Sequence, residues 1–385
     1  MNSILEKIRD SHLQNFGQLP QVLRSPGRIN IIGEHTDYND GLVLPAAIDR
    51  YVYVGISKRT DKLVKLYSLN IEERAESTVD SLTMGQAQWA NYVLGVTQLL
   101  TAQLPHGFEI TLYGDVPIGA GMSSSAALAS AVGYALNDLF QLGHNRMQLA
   151  QIGQQCEHQF IGVKCGIMDQ FASLHGQADQ VIRLDCRDLS YAYFPLVLGD
   201  YAFVLLNTNV SHSLASSAYN ERRAQCEAAL VQLQQFFPQV QSLRDASLEM
   251  LDTAFTDKQD VSYIKARFVI SEIQRVLDVC EALDQGDLPQ VGALMYETHQ
   301  GLSADYEVSC AELDYLVDYV KAFPEVLGAR MMGGGFGGCT INLVKKSFVE
   351  TLISQVSPAY QEQFGIALDY YPVRLGQGTE FITAT

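Results

Sequence analysis

One stretch limits the possible folds more than any other: Asp115-Val-Pro-Ile-Gly-Ala-Gly-Met-Ser-Ser-Ser-Ala-Ala-Leu128. The text before it, Phe108-Glu-Ile-Thr-Leu-Tyr113, alternates apolar and polar side chains and reads as a strand. Pro117, Gly119 and Gly121 then forbid a regular continuation and let a ligand approach the backbone closely. From Ala126 to Phe140 the text is helical, and any of Ser123, Ser124 or Ser125 can cap it. A glycine loop opening onto a helix N-terminus presents unpaired N–H groups and the positive end of the helix dipole. Such a terminus attracts anions, most often phosphate. Taken alone, the stretch is equally a tight turn before a capped helix, so the rest of the chain must decide.

A second dense stretch is Ser25-Pro-Gly-Arg28-Ile-Asn-Ile-Ile-Gly33-Glu34-His35-Thr-Asp37-Tyr-Asn-Asp-Gly41. Ile29, Ile31 and Ile32 suggest a short strand that Gly33 ends. Glu34, His35, Thr36 and Asp37 then crowd what should be a loop, before strand text resumes at 43–48 and 51–56. Carboxylates, an imidazole and a hydroxyl on a rigid frame suit a polyol, whose hydroxyls need both acceptors and donors. The Asn39-Asp-Gly41 end reads as an ordinary turn.

A third stretch contains G-x-G-x-x-G at Gly333, Gly335 and Gly338. A dinucleotide site would need a helix next, but Cys339-Thr-Ile-Asn-Leu-Val344 is strand text, so a glycine-rich hairpin is expected instead. No G-x-x-x-x-G-K-[ST] occurs, so a phosphate site must rely on 115–128 without an adjacent lysine.

Two acids complete the candidates. The helical text Arg146 to Phe160 has apolar positions at 149, 152, 156 and 160, and Glu157 borders that stripe. Spacing alone makes it a boundary carboxylate. Asp169 stands between Met168 and Phe171 after Cys165-Gly166, an acid in apolar text, and such acids are rare unless paired or functional. Trp89, the only tryptophan, reads as a helix-start or core aromatic. Ser213 can cap a helix from about 214 to 236, and 240–320 is mostly helical text.

A formal net charge of −17, from 43 acidic against 26 basic residues, argues against a general binder of nucleic acid or anionic membranes. Seven scattered cysteines without C-x-x-C spacing exclude a disulfide framework or zinc site and point to a reducing, cytoplasmic setting. Residues 1–20 read as a short amphipathic helix without a secretory h-region, and no apolar run is long enough to span a membrane. At 385 residues, about 150 per domain suggests two domains, and the texture changes near residue 200.

Together these stretches resemble the GHMP small-molecule kinases and, within them, the galactokinase family. Gly27-Arg28 through Gly41 resembles the sugar signature, Pro117 to Ala126 the phosphate loop with Met122 where leucine is usual, and Met332 to Gly338 the closing glycine motif. Cys165 to Gln170, Ser213 to Tyr219 and Asp305 to Ser309 match similar text, so the likeness covers nearly the whole chain in order. The resemblance implies an α+β chain of two domains. The first, 1–200, would be ribosomal-protein-S5-like and carry the sugar signature and phosphate loop. The second, 201–385, would be ferredoxin-like and carry the closing motif, with the site between them.

It also implies ATP-dependent phosphorylation of D-galactose at the C1 hydroxyl, the first step of galactose catabolism, with Mg-ATP as co-substrate. By the same resemblance, Asp169 is the general base and Arg28 its partner and a stabiliser of transferred charge. Ser125 and Glu157 are the Mg2+ ligands, against the reading of Glu157 from spacing. Gly119, Ala120, Gly121, Met122, Ser123, Ser124 and Ser125 form the ATP cradle, and Glu34, His35, Asp37 and Tyr219 contact the sugar. An acid paired with an arginine is a weak base and chiefly orients the hydroxyl. A non-catalytic galactose sensor on this fold would have a shortened serine loop, whereas Ser123-Ser-Ser-Ala-Ala127 is complete. Another hexose, such as N-acetylgalactosamine, stays open, because a 2-acetamido pocket depends on loop shape. The oligomeric state is not fixed by the sequence.

Overall fold

The computed structural model describes residues 2–211 and 215–382. Ser213, expected to cap a helix, lies outside them. The chain is α+β, with sheets of six, four and three strands among the described residues.

The six-stranded sheet is centred on strands Gln21–Asn30 and Pro45–Lys58, which pair antiparallel. Phe108–Gly114 pairs with the far side of Pro45–Lys58 and delivers the chain into the glycine loop. The next partner, Leu63–Ser68, runs parallel to it, and helix Gln88–Leu100 makes the crossover between them. Helix Ser124–Leu139 packs across the sheet with Ala126, Ala127, Ala129, Ala131 and Ala135 buried. Small residues bring that helix close to the strands Gln21–Asn30 and Pro45–Lys58. Trp89 opens helix Gln88–Leu100 and its indole N–H donates to Glu73 at 2.9 Å, as a helix-start aromatic would.

The four-stranded sheet is antiparallel, ordered Val326–Met331, Gly337–Lys345, Tyr201–Ser211, Asp369–Pro372. In Tyr201–Ser211, Phe203 and Leu205 face one side while Val204 and Leu206 face the other, and all four are buried. A strand apolar on both faces must be covered on both. Helices Ala311–Val320 and Val349–Phe364 cover the Val204 face. Phe203 and Leu205 join a core that runs continuously to Ile31 and Ile32 of the first half. The tail also returns: Glu380–Phe381 pairs with Leu23 and Arg24 at the edge of the six-stranded sheet.

The closing glycine stretch is the hairpin between two antiparallel strands, with residues 332–336 as its loop and Gly337 and Gly338 opening the second strand. The region 240–320 is helical apart from its connections, with helices at 248–254, 261–285, 288–300 and 311–320. One helix departs from expectation. The text from Arg146 to Phe160 is α-helical only to Gln155, and Cys156–Ile161 winds as a π-helix. Within the α-helical part the buried face is Leu149, Ala150 and Gly153, and Glu157, four positions after Gly153, is buried on it and not at a boundary.

Candidate active site

A cavity of about 320 Å³ lies where the first sheet, the glycine loop and the closing glycine motif meet. Its centre is an ion pair. Strand Gln21–Asn30 slips register between Pro26 and Arg28, and this bulge aims Arg28 at the cavity. Gly27 is required there, because a Cβ would lie 2.7 Å from the Met122 carbonyl. That carbonyl accepts from the Arg28 N–H at 3.1 Å, so the glycine loop is docked on the bulge.

The Arg28 guanidinium holds Asp169 with two parallel bonds, Nε to Oδ1 at 2.7 Å and Nη2 to Oδ2 at 2.9 Å. Its Nη1 donates to the Gly121 carbonyl at 2.5 Å. Burial works against the Arg28 charge, but Asp169, Glu34 and Asp37 outweigh it and raise its pKa. Ser123 Oγ donates to Asp169 Oδ2 at 2.5 Å, so the acid is tied to both the bulge and the loop.

In the loop, Gly119, Gly121 and Ser123 take left-handed φ values of 77°, 72° and 56°. Ala120 and Met122 between them are buried in the core. Such alternation gathers successive N–H groups into an anion nest, here opening onto the N-terminus of helix Ser124–Leu139. Gly119, Gly121, Met122, Ser123, Ser124 and Ser125 line the cavity; Ala120 does not, and serves instead as the loop's anchor. Gly333 and Gly338 pack on the loop from the other half, where a Cβ on either would come 3.2 Å from its backbone.

The opposite wall carries Glu34, His35, Asp37 and Tyr219. Glu34 Oε1 accepts from the Gly333 N–H at 2.8 Å and Arg330 Nη1 at 3.1 Å. His35, at a left-handed φ of 62°, meets Tyr38 Oη through Nδ1 at 2.8 Å, and Tyr38 Oη meets Tyr306 Oη at 2.8 Å. Burial lowers the His35 pKa to about 3, so the ring is neutral, and it packs 5.2 Å from the Tyr219 ring. Asp37 has its pKa raised to about 7, by burial first and then by Asp169 and Glu34. Gly166 makes room for it: a Cβ there would lie 1.9 Å from Asp37 Oδ2.

Glu157 reaches the cavity beside Ser125 and Tyr92, whose hydroxyls donate to its carboxylate. Burial raises its pKa to about 7, and the other charge acting on it is the carboxylate of Asp169. A buried acid with hydroxyl partners, bonded to no cationic side chain among the described residues, fits a hard divalent cation.

All the residues picked from sequence therefore converge on one cavity, with Ala120 just behind it. Several that matter were not picked. Cys165, Gly166 and Gln170 line the cavity from a stretch already singled out, and Tyr92 lines it from helix Gln88–Leu100. Arg330 and Glu272 are fully buried charges, and Glu272 accepts from the Gly33 N–H at 2.9 Å. Each lies in apolar text, the one sequence signal that could have marked them.

Family models match along the chain: the galactokinase galactose-binding signature over residues 10–58, the GHMP kinases N terminal domain over 91–177, and the GHMP kinases C terminal over 280–361. A galactokinase of Exiguobacterium sibiricum is 43% identical over 95% of both chains. One of Roseiflexus sp. is 39% identical over 97% of this chain and 96% of the other. The crystal structure of Lactococcus lactis galactokinase complexed with galactose superposes with a TM-score of 0.94 at 37% identity, covering 98% of this chain and 100% of that one. Methanococcus jannaschii mevalonate kinase shares the fold at a TM-score of 0.65 and 17% identity. With matching signatures and near-complete coverage at about 40% identity, the chain belongs to the galactokinase family of the GHMP kinases.

Proposed function

We propose that this enzyme transfers the γ-phosphoryl group of ATP to the C1 hydroxyl of D-galactose, giving α-D-galactose 1-phosphate and ADP and opening galactose catabolism. The observation that carries this reading is the Arg28–Asp169 pair, set between an anion nest and a wall of sugar-type acceptors and donors.

Phosphoryl transfer needs positioning and charge stabilisation more than covalent chemistry. Asp169, held by the Arg28 fork, orients the C1 hydroxyl and accepts its proton as the new P–O bond forms. The Arg28 charge offsets the negative charge spread over the transferring group. The loop from Gly119 to Ser125 cradles the phosphates through backbone N–H groups and serine hydroxyls, and Ala120 and Met122 fix its shape. Ser125 and Glu157 would hold Mg2+, which when bound neutralises charge on the β and γ oxygens. Glu34, His35, Asp37 and Tyr219 recognise the sugar. A neutral His35 already bonded to Tyr38 suits hydroxyl recognition, not proton transfer.

We also propose a division near residue 200, with 1–200 supplying the sugar signature and phosphate loop and 201–385 the closing glycine motif. The separate six- and four-stranded sheets support it, and the Glu380–Phe381 strand is a return across it. A cytoplasmic setting is supported by seven unpaired cysteines, and no helix among the described residues is long and apolar enough to cross a membrane.

The test is a panel of hexoses, N-acetylgalactosamine included, assayed for ADP release with ATP and Mg2+, with the product read by phosphorus NMR. Galactose should give the highest kcat/KM and a 1-phosphate. ADP release no faster with galactose than without sugar would overturn the reading.

A further inference from the structure

We propose that Arg330 is a positioning residue for sugar recognition, which decides which oxygen of Glu34 is left for the sugar. This rests on the assignment of the cavity to galactose. Arg330 is wholly buried at the end of strand Val326–Met331. Its Nε donates to the Ile31 carbonyl at 2.9 Å, Nη2 donates to the Asn30 carbonyl, and Nη1 donates to the Met331 carbonyl at 2.6 Å. Those carbonyls come from the end of strand Gln21–Asn30 and from Met331 of the other sheet, so they fix the plane of the guanidinium whatever Glu34 does. Nη1 is then the one Arg330 donor that reaches Glu34, at Oε1.

Gly333 N–H donates to the same oxygen. Oε1 thus receives two donors, whereas Oε2 accepts from none of the described residues although Glu34 lines the cavity. An unpaired carboxylate oxygen is a strong acceptor for a hydroxyl, and its direction follows from where Oε1 is pinned. Lysine could not replace the arginine, because a single nitrogen cannot span carbonyls in the directions a planar fork reaches. The link also carries the closing glycine motif: where Glu34 goes, the Gly333 amide follows.

Two variants test this in the full-length enzyme. In Glu34→Gln, the pinned position should take the amide oxygen and turn the NH2 donor toward the sugar. Galactose affinity should then fall by about 10–100-fold, close to the loss in Glu34→Ala, with the KM for ATP within about threefold of wild type. If Oε1 were not pinned, glutamine could offer its oxygen to the sugar, and galactose binding within about twofold of wild type would overturn the proposal. Arg330→Lys should raise the KM for galactose by about tenfold, with little further loss when combined with Glu34→Ala, since its effect passes through that carboxylate. Additive losses, or KM values for both substrates rising together, would mark Arg330 as structural only and overturn it. If Arg330→Lys does not fold, the glutamine variant decides. Wild-type ADP release with galactose is the control: its failure would refute the substrate reading, and the two comparisons would then be run with the best sugar of the panel.

Discussion

At the end of the cavity proposed for the sugar, Glu34 is bonded to Arg330 and Gly333, His35 to Tyr38, Tyr38 to Tyr306, and the Gly33 N–H to the buried Glu272. At the end proposed for the nucleotide, a Cβ added to Gly119 would meet nothing within 4 Å, and neighbouring Ile118 is 89% exposed. The sugar wall is made of side chains locked by other side chains from both halves of the chain. The proposed phosphate loop is made of backbone, anchored by Ala120 and Met122, by Arg28 and by the Gly333 and Gly338 backbone, and open at its Ile118–Gly119 tip. The contrast follows from the ligands. A sugar epimer differs in the direction of a hydroxyl, so its recognition needs acceptors fixed beforehand. A phosphate chain presents charge in every direction and can organise free N–H groups around itself.

The widest break lies where the two ends meet. Asp169→Asn keeps the shape but cannot accept a proton and loses the charge that pairs with Arg28. It should reduce kcat by about 10²-fold or more, with melting close to wild type measured on the same sample. Turnover within about tenfold of wild type would remove Asp169 from the mechanism.

A change confined to the sugar end comes next. Gly166→Ala puts a methyl group where Asp37 Oδ2 stands. Galactose affinity should fall by about 1–3 kcal/mol by calorimetry while nucleotide affinity holds. Equal losses for both ligands would mean the ends are not independent. The converse change is Ser125→Ala or Glu157→Ala, each of which should raise the magnesium concentration needed for half-maximal rate by about tenfold or more. Galactose binding should be intact, and an unaltered magnesium dependence in both variants would remove them as ligands.

The smallest expected effect is in stability. Asp37 ionises near its ordinary 3.8 in the unfolded chain but keeps its proton to about 7 when folded. Between those values unfolding releases a proton, so the contribution of this group to stability falls as pH rises from about 4 to about 7, then levels. The melting temperature of the ligand-free wild type, relative to Asp37→Asn, should drop by about 5 °C over that range. A difference that is flat with pH would place Asp37 in a better-solvated site.

Much of this was legible in the sequence, for physical reasons. The glycine loop, the polar cluster after Gly33 and the hairpin at 333–338 depend on local backbone chemistry, which glycine, proline and serine write directly into the text. Spacing makes Glu157 a boundary carboxylate because Ala150 and Gly153, seven and four positions before it, are too small to mark their face as apolar, yet both are buried and Glu157 shares that face. Arg330 and Glu34 stand 296 positions apart, so no local pattern could pair them. The return of Glu380–Phe381 to the first sheet has the same cause: a two-residue edge strand carries almost no periodicity.

Galactose binding in the absence of nucleotide tests the central contrast most directly. A sugar wall already locked in place should bind galactose in the nucleotide-free enzyme with an affinity within about threefold of that measured with a saturating non-hydrolysable ATP analogue, a difference under about 1 kcal/mol. Calorimetry that detects no galactose binding until the analogue is added would contradict it, because the sugar end would then be assembled by the nucleotide and not by Arg330, Tyr306 and Glu272.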